Sequence, residues 1–112
     1  MEEDRARVDL TIYKGQAWKK DAWFKEDGEI MDLTGVTARA QIRPKENSVD
    51  LIAEITCEID PAEGHLSMTL PASLTAAIAP GLYYWDLKLT DVDELPDYPI
   101  YGRVRIIGRV TE

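Results

Sequence analysis

Residues 81–90 read GLYYWDLKLT, in which Tyr83, Trp85, Leu87 and Leu89 alternate with Tyr84, Asp86, Lys88 and Thr90. A period of two marks a strand with one face in a core and the other in solvent. A helix would need apolar positions three and four apart, which this run lacks. Trp85, at its centre, is expected to fill the middle of that core. Just upstream, residues 71–79 show helical spacing at Leu74, Ala77 and Ile78, with Ser73 as N-cap, until Pro80-Gly81 stops them. So short a run predicts one helical crossover near residues 72–79.

The same alternation recurs on both sides. In residues 37–43, Ala38, Ala40 and Ile42 face inward while Thr37, Arg39, Gln41 and Arg43 face out, and Pro44 ends the run because it has no N–H for a ladder. Leu51, Ala53, Ile55, Cys57 and Ile59 set one inward face, and Leu66, Met68 and Leu70 another, joined as a hairpin across residues 60–64. Nearer the start, Val8, Leu10 and Ile12 alternate with Asp9, Thr11 and Tyr13 until Gly15. Residues 17–24 carry Trp18, Ala22 and Phe24 on one face and Lys19, Asp21 and Trp23 on the other, so a tryptophan on each side leaves the inward phase open. Asp27-Gly28 marks a tight turn, and a short segment, 30–33, follows. Beyond an acidic loop at 91–99, the last strand puts Ile100, Val104, Ile106 and Val110 inward and Tyr101, Arg103, Arg105, Ile107 and Arg109 outward. About seven short strands with one helical crossover predict an all-β fold, a two-sheet antiparallel sandwich, with a small open barrel as the alternative.

At 112 residues the chain is expected to form a single domain over residues 8–112, preceded by a flexible segment, 1–7. Hydrophobic residues at 45% and charged residues at 30% fit a folded soluble protein. The start has neither a basic n-region nor an apolar h-region, so no signal peptide is expected, and no apolar run is long enough to cross a bilayer. Cys57 is the single cysteine, which excludes an internal disulfide and suits a reducing cytoplasm. A net charge of -8 repels phosphate, so neither nucleic acid nor membrane is an expected partner.

Candidate chemistry is sparse. Asp91, Asp93, Glu94 and Asp97 offer oxygen ligands of the kind calcium takes, but the loop lacks the spaced glycine and terminal glutamate of an EF-hand, and Pro96 and Pro99 restrict it. A solvated acidic loop is the expectation. His65, the lone histidine, follows Gly64 at a hairpin edge and is expected at the surface. Cys57 lies in an inward phase and reads as a small core residue. Ser67, Ser73 and Thr75 lack a nucleophile context, with His65 as their one possible base. No catalytic, cofactor-binding or metal-binding residue is therefore assigned, and the chain is expected not to be an enzyme.

One order of pieces is unusual. Gly15 with Trp18, Asp27-Gly28, Asp32-Leu33-Thr34-Gly35, Ala38, Gln41-Ile42-Arg43, SLTAAIAPG at 73–81, Gly81-Leu82-Tyr83 and Trp85-Asp86-Leu87 follow one another across roughly residues 8–110. This order resembles the immunoglobulin-like β-sandwich structural proteins of tailed bacteriophages and prophages, and is similar to the N-terminal domain of baseplate upper proteins. The resemblance implies an immunoglobulin-like sandwich and a non-catalytic structural or assembly module of the tail or baseplate region. It would act in the virion, or in the host cytoplasm during assembly. Its partners would be other phage structural proteins or further copies of itself. The 91–99 loop departs from the pattern, being longer and more acidic than the short hairpin related chains tend to carry. Asp32 and Thr34 can fold onto nearby amides with Gly35 at positive φ, and Gly81 ahead of Tyr83 resembles a tyrosine corner, in which the phenol satisfies a buried backbone group. Asp32, Gly35, Gly81, Tyr83 and Trp85 are thus the expected structural residues.

In an immunoglobulin-like order, the strands at 37–43, 82–90 and 100–110 are neighbours in one sheet. Their outward residues would then form a docking surface from Arg39, Arg43, Tyr84, Tyr101, Arg103 and Arg105, since arginine and tyrosine are enriched in interface centres. The alternative is a solvated face whose arginines pair with Asp86 and other carboxylates. A different class of function, a carbohydrate or host-surface binding module, would use Trp23, Tyr84, Tyr98 and Tyr101. A basic face and an acidic loop on one small domain also suit head-to-tail or ring assembly.

Overall fold

A computed structural model describes residues 6–46 and 48–108. Its strands are β1 (Ala6–Arg7), β2 (Leu10–Tyr13), β3 (Trp18–Trp23), β4 (Lys25–Glu26), β5 (Glu29–Ile30), β6 (Thr37–Arg43), β7 (Ala53–Asp60), β8 (His65–Leu70), β9 (Gly81–Thr90) and β10 (Pro96–Ile107). A 3-10 turn at Pro61–Glu63 and one helix, α1 (Ala72–Thr75), complete the regular elements. The fold is all-β. Eight strands form a curled mixed sheet in the order β1-β10-β9-β6-β7-β8-β3 with β2 also on β10, and β4-β5 is a separate hairpin. No helix among the described residues is long and apolar enough to cross a membrane.

The curl originates in β7. Ala53–Ile55 pair with β6, whereas Thr56–Asp60 pair with β8, so one strand serves two arms. Alternation then turns both inner faces onto one core. Leu10, Ile12, Ala40, Ile42, Trp85, Leu87, Leu89, Val104 and Ile106 enter it from one arm, and Leu66, Met68 and Leu70 from the other, with Ala53 and Ile55 between them. The open phase of β3 resolves with Trp18, Ala22 and Phe24 packed on this core and Trp23 facing out. Cys57 also packs against the core, half-buried, and burial pushes its thiol up to about 11.

Several expectations are corrected. The sheet is not wholly antiparallel, because β1 and β2 run parallel to β10. The turn after β2 sends the chain to the other arm, so β2 has no hairpin partner and fills the free side of β10. Of the segment expected to precede the domain, Ala6 and Arg7 pair with Ile100 and Tyr101, while residues 1–5 lie outside the described residues. β10 begins at Pro96, inside the expected loop, with a register shift between Asp97 and Ile100 that accommodates Pro99. Arg109 and Val110 lie outside the described residues. Leu51 precedes β7 and is exposed.

The helix is shorter than its apolar spacing suggests, and its N-cap is Pro71, with Ser73 inside the turn. Thr75, completely buried, explains why the segment docks at all. Its hydroxyl donates to the Gln16 carbonyl (2.8 Å) and accepts from the Gly15 N–H (3.1 Å). Lys14 Nζ caps the end of the turn by donating to the Ala76 and Ile78 carbonyls.

Candidate functional site: the outer face of β6, β9 and β10

Register decides which outward residues meet. Arg43 lies opposite Tyr84, and Tyr84 opposite Arg103, giving one row across three strands. The next row is Gln41, Asp86 and Tyr101, with Arg7 of β1 beyond. Arg39 stands beside Lys88, and Arg105 beside Leu82 and Thr11. All six expected surface residues therefore share one face, although their states differ.

Arg39 is not free, because its guanidinium donates to the Glu54 carboxylate of β7 (2.7 and 3.4 Å), and Gln41 Nε2 donates to the same group (3.2 Å). These bonds, Arg39 first, hold Glu54 below the usual carboxylate range. Arg43 instead donates to the backbone carbonyls of Ser48 and Asp50 (3.1 Å each) and to Gln41 Oε1 (2.6 Å). It fastens Ser48 and Asp50 to the sheet, and among the described residues no carboxylate is bonded to it. Arg103 and Arg105 are exposed and carry no side-chain hydrogen bond among the described residues. Between the sheet and residues 45, 46, 48 and 49 lies an open groove of about 860 Å³, lined by Gln41, Arg43, Lys45, Glu46, Tyr84 and Asp86 among others. A smaller hollow of about 250 Å³ lies along the same face at Arg39, Asp86, Lys88 and Tyr98.

The edge of this face depends on one close approach. Gly102 sits against the Val8 carbonyl, where a Cβ would stand 2.0 Å from the oxygen. That carbonyl accepts from Trp85 Nε1 (2.8 Å), Val8 N–H donates to Tyr101 (2.8 Å), and the Asp9 carboxylate accepts from the Arg103 amide (3.0 Å). The Arg103 amide, followed by the Arg7 side chain, lowers the pKa of Asp9. Trp85, only 4% exposed, thus fills the core and anchors the N-terminal strands.

The other structural residues sit at turns. Asp32 Oδ1 accepts from the Thr34 hydroxyl (2.6 Å) and amide (3.0 Å), and Gly35 adopts φ 80° as the Val36 amide closes onto Leu33 (3.0 Å). Gly81 adopts φ 155°, and the Tyr83 hydroxyl donates to the Ala79 carbonyl (2.7 Å), the geometry of a tyrosine corner. The acceptor lies at an exposed position, so the phenol ties down the crossover and does not satisfy a buried group.

The saccharide candidates do not form one site. Tyr84, Tyr98 and Tyr101 border the two hollows of the β6-β9-β10 face, whereas Trp23 projects from β3 on the other arm. There Trp23, 64% exposed, lies with its ring centroid 4.9 Å from that of His65, whose Nε2 donates to Asp21 Oδ1 (2.9 Å). His65 is thus partly buried and paired. Glu54, Asp9, Gly102 and the His65–Asp21 pair were not singled out by sequence, since each matters through a partner distant in the chain. The alternating phase of Asp9, Asp21 and Glu54 in their strands is the local signal for them, and it names no partner. Among the described residues, no group of three or more His, Cys, Asp or Glu side chains is placed to hold a metal ion.

No protein-family profile matches the chain, and no curated protein matches it significantly. Solved structures do match in shape. The GspB Siglec domain superposes with a TM-score of 0.57 at 13% identity, covering 92% of this chain. The chain spans 55% of the length of that structure, and the likeness is one of fold alone.

Proposed function

We propose that this chain is a non-catalytic structural or assembly module of a tailed phage or prophage, from the tail or baseplate region, which docks to other virion proteins through the outer face of β6, β9 and β10. The virion setting is what the sequence resemblance implies. The single observation behind the docking face is the row Arg43, Tyr84 and Arg103 in direct register beside a preformed groove. Planar donors and an amphipathic ring in adjacent positions suit the centre of an interface. We infer also that the two arms are the layers of an immunoglobulin-like sandwich, β3-β8-β7 over β6-β9-β10. The strand order and the Tyr83 corner support that finer description.

The test is Arg103→Glu with Arg105→Glu, two exposed positions outside the core. The expected result is loss of co-purifying tail or baseplate proteins with an unchanged circular dichroism spectrum and melting temperature. Retention of those partners would refute the docking face.

A second reading, binding of carbohydrate or a host surface, is favoured by the Trp23 arrangement. An exposed indole offers a stacking face, and a carboxylate held by His65 keeps acceptor capacity for hydroxyls. A glycan array would show selective hits that vanish in Trp23→Ala, and an array without hits would dismiss it.

A further inference from the structure

The acidic segment after β9 is a fixed turn. Asp91 Oδ1 accepts from the amides of Asp93 (2.9 Å) and Leu95 (3.0 Å), and the Asp91 and Glu94 amides donate to the Leu95 (3.2 Å) and Asp91 (2.9 Å) carbonyls. One carboxylate is consumed in holding the turn, leaving Asp93 and Glu94 to solvent. On either side of them stand Val92 and Leu95, 70% and 63% exposed. A rigid tip that presents two aliphatic side chains among carboxylates has the shape of a plug.

A complementary surface lies at the other end of the same sheet. Six of the chain's 13 cationic side chains, Arg7, Arg39, Arg43, Lys88, Arg103 and Arg105, share the outer face, against the carboxylates of Asp9, Glu54 and Asp86. Lys45 and Glu46 in the groove lining offset each other, and on a chain of net charge -8 the remaining excess of cations on the face is a local reversal. The groove beside Arg43 adds Tyr84, Tyr101 and the exposed Val49 as apolar contacts. Along β9 the distance from Tyr84 to Thr90 is about 20 Å at a strand's rise per residue. The β9-β10 ladder holds the turn at that far end, so the plug cannot reach the groove of its own chain.

We propose that a second copy of this chain inserts its 91–95 turn into the groove bounded by Arg43, Lys45 and Tyr84, with Arg103 next to Tyr84 on the adjoining strand. The inference rests on the docking face described above and names the occupant of that face. Plug and groove are different surfaces, so the contact is heterologous and each docked copy leaves one of each exposed. Successive copies therefore build a ring or a filament. The charged part of the contact weakens with salt, since at about 1 M the screening length falls to roughly 3 Å.

Two variants test this by sedimentation velocity: a groove variant, Arg103→Glu with Arg105→Glu, and a plug variant, Glu94→Asn with Leu95→Ser. The wild type is expected to form species larger than a monomer at low salt that disperse at about 1 M NaCl. Each variant alone is expected to remain monomeric with an unchanged circular dichroism spectrum. An equimolar mixture should form dimers and stop there, because the mixture holds one working plug and one working groove per pair. A monomeric wild type, association that survives either substitution, or a mixture without dimers would each overturn the proposal. A monomeric wild type that still loses its tail partners on charge reversal overturns self-docking and leaves the docking face standing. One that keeps those partners sinks both.

Discussion

Replacing Gly102 by alanine tests how the N-terminal strands are held. The added methyl would stand 2.0 Å from the Val8 oxygen and 2.7 Å from its carbonyl carbon, and both obstacles are backbone. Relief requires the 7–9 segment to move away from β10 by more than 1 Å, an estimate from ordinary contact distances. Three hydrogen bonds then break together: Trp85 Nε1 to Val8, Val8 N–H to Tyr101, and the Arg103 amide to Asp9. At about 1 kcal/mol net for each, the loss is about 3 kcal/mol, out of a total stability on the order of 5–15 kcal/mol. Gly28→Ala is the control, because nothing lies within 4 Å of a Cβ there and only the φ of 82° opposes it. That strain costs about 1–2 kcal/mol. Urea unfolding followed by tryptophan fluorescence gives both values, and hydrogen exchange locates the effect in residues 6–12. Gly102→Ala within about 0.5 kcal/mol of wild type, with amide protection intact in that segment, would refute the seating of Val8 and Asp9 against β10.

Tyr83→Phe removes the bond to Ala79 while keeping the ring, and should cost about 1 kcal/mol in urea unfolding; no change would mean the corner contributes nothing. Cys57, with its thiol pushed from 9.0 to about 11, should alkylate at pH 8 about 100-fold more slowly in the folded protein than after unfolding, from thiolate fraction alone. Equal rates would contradict its burial. Glu54, Asp32 and Asp9 are all held below their ordinary values in the folded chain. A depressed carboxylate contributes stability above its unfolded pKa and loses it as pH falls through the folded one, so stability should decline below about pH 4. Glu54→Gln should flatten part of that decline, and an identical pH profile would argue against the Arg39–Glu54 pair.

Much of the fold was legible because strand alternation is a property of the backbone itself. Leu87, Leu89, Val104 and Ile106 fall inward, and Tyr84, Arg103 and Arg105 outward, as period two requires, and Trp85 lies in the core. The turns at Asp32 to Gly35 and at Gly81 were equally legible, since positive φ and short side-chain acceptors leave a local mark. The phase of β3 was not, because tryptophan on both faces makes alternation uninformative until β8 pairs with one side.

The candidate site divides in the same way. Sequence alone determined which side chains point outward on β6, β9 and β10, and with it the composition of the arginine and tyrosine face. Tertiary structure alone decided that Arg43, Tyr84 and Arg103 form one row, that Arg39 is tied to Glu54, and that Trp23 lies on a different arm from Tyr84. The physical reason is range. Alternation is set by neighbouring peptide units, whereas register, the split pairing of β7 and the parallel seating of β2 on β10 depend on hydrogen bonds between residues distant in the chain, up to the 94 positions that separate Asp9 from Arg103.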